Sequence, residues 1–548
     1  MFGKPIIFID DSHPFAVRFL LACRIGGPGH CSGITALKEI PTKPGGMVKR
    51  MRPAAAHLAL AAFLMTVILA AAAAASGCSE TTMTVETQTR TTIPPEAQGD
   101  AASSSPSISS DGRFIAFKSD ATNLVVGSTN GARSIYVKDT RTGATSGVST
   151  SSEGVNGNRD SDNPVISGNG RFVAFDSAAT NLIPGDNNSQ CVSASGTNVN
   201  CPDVFSKDME TGATKLVSAS AAGAQGNSAS LHPSVSADGR FVAFSSAASN
   251  LVPGDTNGKA DVFLKDMQTG AVTRISAGAE GSEGDDDSDA PSISADGRFV
   301  AFRSNAGNLV ANDTNGKTDV FLKDTQTGVL TRVSTSAGGG QAGAASGYTS
   351  LAISASGRYV AFDSGAADLV PGDENGKRDV FIKDTQTGAI ALVSASAAGG
   401  QGDQDSYESI AVSADGRFVA FSSDASNLVA NDTNAASGKT DIFLKDMQSG
   451  AIQLISAGST GIQAMGRSMM VSMSADGRFV AFDSEAANLV AGDTNNKNDV
   501  FLKDVQTGAT TRVSTSTADL EGGPGGPGQP GDSLGNTGTA TLAVPQNT

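Results

Sequence analysis

Histidine chemistry has almost no raw material in this chain, because His232 is the only histidine after Cys78. A Ser-His-Asp arrangement would have to pass through it, and one ring cannot form a cluster of metal-ligating histidines. Carboxylates and carboxamides, by contrast, recur in a fixed order. Asp-x-Asn-x-x-x-Asp appears at Asp255, Asn257 and Asp261, at Asp313, Asn315 and Asp319, at Asp373, Asn375 and Asp379, and at Asp493, Asn495 and Asp499. A stretched copy carries Asp432, Asn434 and Asp441, and in another Asp186, Asn188 and Asp203 flank a cysteine-containing insertion. The most N-terminal copy has Ser128, Asn130 and Ser134 and lacks both carboxylates. Oxygen groups alternating along a glycine-containing loop suit Ca2+, with carbonyls and water completing a shell of about six to eight oxygens. The competing reading is turn chemistry, since Asn-Gly pairs and Asp close tight turns through their own backbone hydrogen bonds. A second acidic patch comprises Glu280, Glu283, Asp285, Asp286, Asp287 and Asp289. It reads either as a solvated loop or as a docking face for a cationic partner.

These loops belong to a repeat. The glycine of a recurring Asp-Gly-Arg-Phe stretch falls at Gly112, Gly170, Gly239, Gly297, Gly357, Gly416 and Gly477, with Asn169 and Ser356 replacing the aspartate in two copies. Each unit of about 60 residues reads as four short strands. In the third, Pro233–Ser236 leads through the Asp238-Gly239 hairpin turn to the apolar run Phe241–Ser245, and the acidic loop leads to Asp261–Lys265 and Val272–Ser276. Seven such units predict an all-β chain folded as one seven-bladed propeller of four-stranded antiparallel blades, over residues 106–516. With 5% aromatics, 64 glycines and no tryptophan, the composition agrees with a turn-rich β protein.

Aromatic usage supports the same architecture. Three ring positions recur per unit, as in Phe241, Phe244 and Phe263, so seven units absorb 21 of the 23 Phe and Tyr residues after Cys78. Only Tyr348 and Tyr407 lie outside this lattice, which leaves few exposed rings for sugars, nucleobases or quaternary amines. The stretches Ser236-Ala-Asp-Gly-Arg-Phe-Val-Ala-Phe244 and Asp261-Val-Phe-Leu-Lys-Asp266 resemble the repeat of TolB-type, WD40-like (PD40) propellers. The resemblance spans about residues 107–516. It implies the propeller fold, and no Tol-Pal role, because only residues 79–105 separate Cys78 from the first repeat. TolB-like propeller enzymes of the lyase kind use clustered histidines, so the resemblance together with the lone His232 implies that this chain is not an enzyme.

The N-terminal region sets the expected address. Lys49, Arg50 and Arg52 precede the Ala/Leu-rich run Ala54–Ala75, in the order of a secretory signal. Ala75-Ser76-Gly77-Cys78 resembles a bacterial lipobox, with Cys78 as the lipidated residue; an uncleaved spanning helix is the alternative. Met47 is the expected start, which makes residues 1–46 a non-native extension, 47–78 the signal, 79–105 a tether and 517–548 a disordered Gly/Pro-rich tail. Cys191 and Cys201 are then an extracytoplasmic pair and read as a disulfide. Residues 1–78 carry eight Lys/Arg against three Asp/Glu, and the remainder is strongly acidic, which argues against nucleic acid as a partner. The expected function is a non-enzymatic, monomeric interaction module of the cell envelope, held by lipid and binding a protein or peptide, with calcium as its one candidate cofactor. The rival is a funnel-site enzyme or carbohydrate-binding propeller.

Overall fold

The computed structural model describes residues 84–86, 96–127, 131–188, 191–192, 198–199, 201–430, 432, 439–517 and 539–541. Each repeat forms one four-stranded antiparallel sheet in chain order, and there are seven. In blade 3 the strands are Ser230–Val235, Phe241–Ser246, Asp261–Asp266 and Val272–Arg274. First strands of neighbouring blades pack on one another, so they line the central channel. The seven-bladed, all-β expectation is borne out. The described residues include no helix long and apolar enough to cross a membrane.

Every residue of the Ser-x-Asp-Gly-Arg-Phe turn has a task. In blade 3, Asp238 Oδ1 accepts from Ser236 Oγ (2.7 Å) and from the Arg240 N–H (2.9 Å), fixing the hairpin. Arg240 makes a two-pronged bond to Asp266 at the end of the third strand, and its guanidinium lies 4.6 Å from the Phe241 ring centroid. Gly239 sits at φ +78°, and a Cβ there would meet the Phe172 ring of blade 2 at 2.1 Å. The glycine is thus needed twice, for its left-handed backbone and for the ring of the preceding blade. The contact runs round the whole propeller and closes with Gly112 against Phe479. Backbone bonds between successive hairpins follow the same circle, from Ala237 N to Ala295 O (2.9 Å) and onward to Ala475 N and Ser110 O (3.0 Å).

The other two rings of each repeat stack on each other and fill the space between blades. Phe244 and Phe263, with centroids 5.9 Å apart, are fully buried against Val204 and Val217 of blade 2. A buried ring of this kind contributes about 2–3 kcal/mol. Beside these rings runs an unexpected circle of lysines. Lys265 is buried and donates to the carbonyls of Ala219 (2.9 Å) and Ser220 (3.2 Å) in the preceding blade. Lys207, Lys323, Lys383, Lys445 and Lys503 do likewise, and Lys138 of blade 1 reaches Thr515 of blade 7. Burial lowers the ammonium pKa, to about 8 at Lys207. The fifth residue of Asp-Val-Phe-Leu-Lys-type strands therefore reads as a blade clasp, with the carbonyl acceptors supplied by the neighbour.

Ring closure moves the N-terminal boundary. The first strand of blade 1 starts at Ser103, and the residues before it belong to blade 7: Gly99 N–H donates to Ser514 O (3.1 Å) and Ser516 N–H to Ala97 O (2.8 Å). Gln98 pairs with Thr515 as Gln225 pairs with Ala219 inside blade 2. The stretch expected to be only a tether thus supplies, from its residue 96 onward, the connection that the chain end of blade 7 lacks. Thr84–Glu86 and Thr539–Thr541 form a separate two-stranded antiparallel pair. The expectations on Cys78, on residues 1–78 and on most of 517–548 lie outside the described residues.

Candidate functional site

Two loop classes emerge on one face: those joining second to third strands, which carry the Asp-x-Asn motif, and those joining one blade to the next. In blade 3 the Asp261 carboxylate, fully buried, accepts from Ser276 Oγ (2.5 Å) on one oxygen and from Asn257 Nδ2 (3.2 Å) on the other. Asn257 Oδ1 is turned to the Lys259 N–H (3.0 Å). The carboxamide thus shows the carboxylate its N–H side, where a calcium ligand would offer oxygen. Arg274 Nη1 lies 3.7 Å from Asp255, 3.8 Å from Asp261 and 2.5 Å from Glu283. Asp313 and Asp319 receive Arg332 in the same way, at 3.0 and 3.8 Å, with Asn315 Nδ2 on Asp319 (2.8 Å).

Blades 2 and 6, which lack that arginine, use a glutamine. Gln225 Nε2 bridges Asp186 and Asp203, both at 2.8 Å, while Asn188 Nδ2 donates to Asp203 (2.7 Å). Gln463 Nε2 bridges Asp432 (2.8 Å) and Asp441 (2.9 Å); Asn434 lies outside the described residues. In blade 7 both devices meet: Gln98 Nε2 reaches Asp493 (2.7 Å) and Asp499 (2.9 Å), Arg512 stands 3.6 Å from Asp493, and Asn495 Nδ2 holds Gly99 O (2.8 Å). Blade 5 has Leu392 at the arginine position. There Asn375 and Ser394 bond Asp379, and Gln401 touches Asp373 only at 3.4 Å. Burial pushes Asp203 and Asp379 up to about 6. Among the described residues no group of three or more His, Cys, Asp and Glu could hold a metal ion.

The second acidic patch is largely paired within the fold. Glu283 meets Arg274, Asp286 meets Lys259 (2.7 Å) and Asp289 meets Arg303, while Asp285 and Asp287 accept the backbone N–H groups of Gly307 and Ala260. Cys191 and Cys201 form a disulfide with Cα atoms 5.0 Å apart, at the foot of the blade 2 insertion.

At the channel mouth each first strand is interrupted by an irregularity, as between Leu231 and Ser234. Ser105, Asn163, His232, Ala290 and Glu408 take φ between +50° and +69° there, and Gly347 takes the place in blade 5. A left-handed side-chain residue costs about 1–2 kcal/mol, so neighbours must hold it. Buried carboxylates brace this backbone, at Ser105 directly and elsewhere through the residues beside it. Asp483 accepts from the N–H groups of Ser105 and Met470 (both 3.1 Å), and Asp363 from Thr349 (3.1 Å) and Ser350 (3.0 Å). Burial pushes Asp483 up to about 6. His232 is exposed at this rim. The two tyrosines left out of the repeat lattice come together here, both touching Arg378. The signal for these positions was present as the one polar residue that changes between repeats in Phe-Lys118-Ser, Phe-Asp176-Ser, Phe-Arg303-Ser and Phe-Asp363-Ser.

No family model matches the chain, and no curated protein does. Solved structures similar to it include TolB from Acinetobacter baumannii, at 15% identity and TM-score 0.33, covering 57% of this chain and 60% of that one. The β-propeller domain of the trilobed protease from Pyrococcus furiosus matches at 12% identity and TM-score 0.43, covering 75% and 97%. An oligogalacturonate lyase from Vibrio parahaemolyticus matches at 13% identity and TM-score 0.40, covering 77% and 97%. The chain spans 60% of the Acinetobacter TolB chain. These likenesses are of fold, and at that level the TolB-type expectation holds. The expectation that the chain is not an enzyme is overturned as an inference: similar propellers include a lyase and parts of peptidases, so neither the fold nor the lone His232 excludes catalysis.

Proposed function

We propose that this chain is a binding propeller whose loop-bearing face, at the channel mouth, takes a protein or peptide. It acts outside the cytoplasm as a monomer tethered through a lipidated Cys78. The observation that carries this reading is where the repeats stop repeating. Turn, clasp and core residues recur from blade to blade, whereas the rim positions read Ser104-Ser105, Asp162-Asn163, Leu231-His232, Asp289-Ala290, Tyr348-Thr349, Tyr407-Glu408 and Met469-Met470. Blade geometry does not require those side chains, and several sit on strained backbone, which is characteristic of binding sites. The Asp-x-Asn loops support the rim as internally bonded struts, and calcium retains its best opportunity in blade 5, the loop without an arginine or a close glutamine bridge. Because the acidic patch is mostly neutralised, a cationic partner would meet isolated carboxylates such as Glu280. The test is site-specific photo-crosslinking in the native envelope. A photoreactive residue at His232 or Met470 should capture a partner, and one at Gln268 on the opposite face should not. Equal capture from both faces refutes the assignment of the mouth.

A further inference from the structure

Two arginines occupy the same place in their blades, immediately before the third strand: Arg133 in blade 1 and Arg378 in blade 5. The guanidinium of Arg133 is spent on protein carboxylates, with Nε donating to Asp120 (3.1 Å) and Nη1 to Asp162 (3.0 and 3.2 Å). Arg378 differs. Its main-chain N–H reaches Asp405 (2.9 Å), but among the described residues its guanidinium donates no hydrogen bond. Its ion-pair partner, the buried Asp363, stands 3.7 Å away, and the guanidinium carbon lies over the rings of Tyr348 (4.9 Å) and Tyr407 (5.4 Å). Ring contacts supply no acceptor oxygen, so they leave the N–H donors of the guanidinium open to one.

The neighbouring arginines, which could otherwise take an incoming acceptor, are already engaged. Arg303 is bonded to Asp289 and to the carbonyls of Gly347 and Tyr348, and Arg467 to Glu408 (3.3 Å). Tyr348 is 57% exposed and Met470 40% exposed on the same arc of the rim, blades 5 to 7. Tyr, Arg and Met are residue types that anchor interfaces. Carboxylates also surround the site, in Asp363, Asp405 and Glu408, so attraction there is a local fork-to-carboxylate contact and not a long-range field.

We infer that Arg378, held by Tyr348, Tyr407 and Asp363, is the receptor for an aspartate or glutamate side chain of a bound peptide. The two oxygens of a carboxylate match the guanidinium fork, which a point-charge ammonium cannot reproduce. The inference rests on the channel mouth being a peptide site, and its test separates the two. Random heptapeptides displayed on phage are selected on the full chain. Selected sequences should carry Asp or Glu at one shared position, and a synthetic copy should bind Arg378→Gln about tenfold more weakly, with Arg378→Lys giving only partial recovery. Arg133→Gln should bind that peptide as the parent does. Unchanged melting temperatures identify variants that fold, and Tyr348→Ala should weaken the same peptide independently. Selected peptides without an acidic position, or bound equally by Arg378→Gln, overturn the inference and leave the peptide reading standing. Failure to select any sequence, or preferential binding of an acidic polysaccharide, overturns both.

Discussion

Replacing Gly239 by alanine should cost far more than replacing Gly254, although both have nearly the same backbone, φ +78° and +77°. At Gly254 nothing lies within 4 Å of the added Cβ, so the variant reports the left-handed backbone alone, about 1–2 kcal/mol. At Gly239 the Cβ would lie 2.1 Å from Phe172 Cδ2, 2.5 Å from its Cγ and 2.9 Å from its Cβ. The ring, or the seam between blades 2 and 3, must move, adding about 1–3 kcal/mol of overpacking strain. Gly239→Ala should therefore lose about 2–5 kcal/mol. Shortening the partner removes the ring contacts at 2.1 and 2.5 Å and leaves only its Cβ at 2.9 Å: in a Phe172→Ala background, Gly239→Ala should cost little more than Gly254→Ala does. The coupling in this double-mutant cycle is then about 1–3 kcal/mol. Because the chain has no tryptophan, thermal and urea unfolding are best followed by circular dichroism and calorimetry. Equal losses from Gly239→Ala and Gly254→Ala, or strict additivity with Phe172→Ala, would refute the claim that the motif glycine is there to admit the preceding blade's ring.

Gln98→Ala removes the amide bridging Asp493 and Asp499 and should cost about 1–3 kcal/mol, with amide exchange rising first in blades 1 and 7; protection lost uniformly would argue against a local seam. Asp203, Asp379 and Asp483 titrate at about 6 in the fold against 3.8 unfolded, so the folded state binds more protons between those values and stability from these groups is lost as pH rises through 6. Asp139, Asp208 and Asp504 are held at about 2, chiefly by their Arg113, Arg171 and Arg478 partners against the opposing effect of burial, and their stabilisation is lost as pH falls through that range. The melting temperature should therefore peak at about pH 4 and fall as the pH rises to about 6, and a monotonic rise from about pH 4 to 8 would contradict the burial argument. Millimolar calcium should leave the melting temperature where magnesium at equal ionic strength leaves it; a calcium-specific rise abolished by Asp379→Asn would instead establish a site in blade 5.

Blade number, strand order and the buried rings were legible from residue order alone, because each blade is built from contacts within about 60 residues. Gly239, Arg240 and Phe241 do the same work in every copy, so the pattern repeats wherever the geometry does. The Asp-x-Asn loops were legible as loops, and their internal bonding was not. Arg274 and Gln225 reach the carboxylates from the fourth strand and from the connection to the next blade, positions that spacing along the chain does not associate with the motif. Closure lay further out of reach. Gln98 resembles no strand signal, and its role follows only from a circle in which residue 98 completes a blade ending near residue 516, about 400 residues later. The channel mouth was hidden for the same reason. Tyr348, Asp363 and Tyr407 stand on three strands of two blades and Arg378 just before a fourth, and only curvature of the ring brings two unassigned tyrosines to one guanidinium. Local chemistry decides what each blade is, and the packing of seven blades around one axis decides which side chains meet.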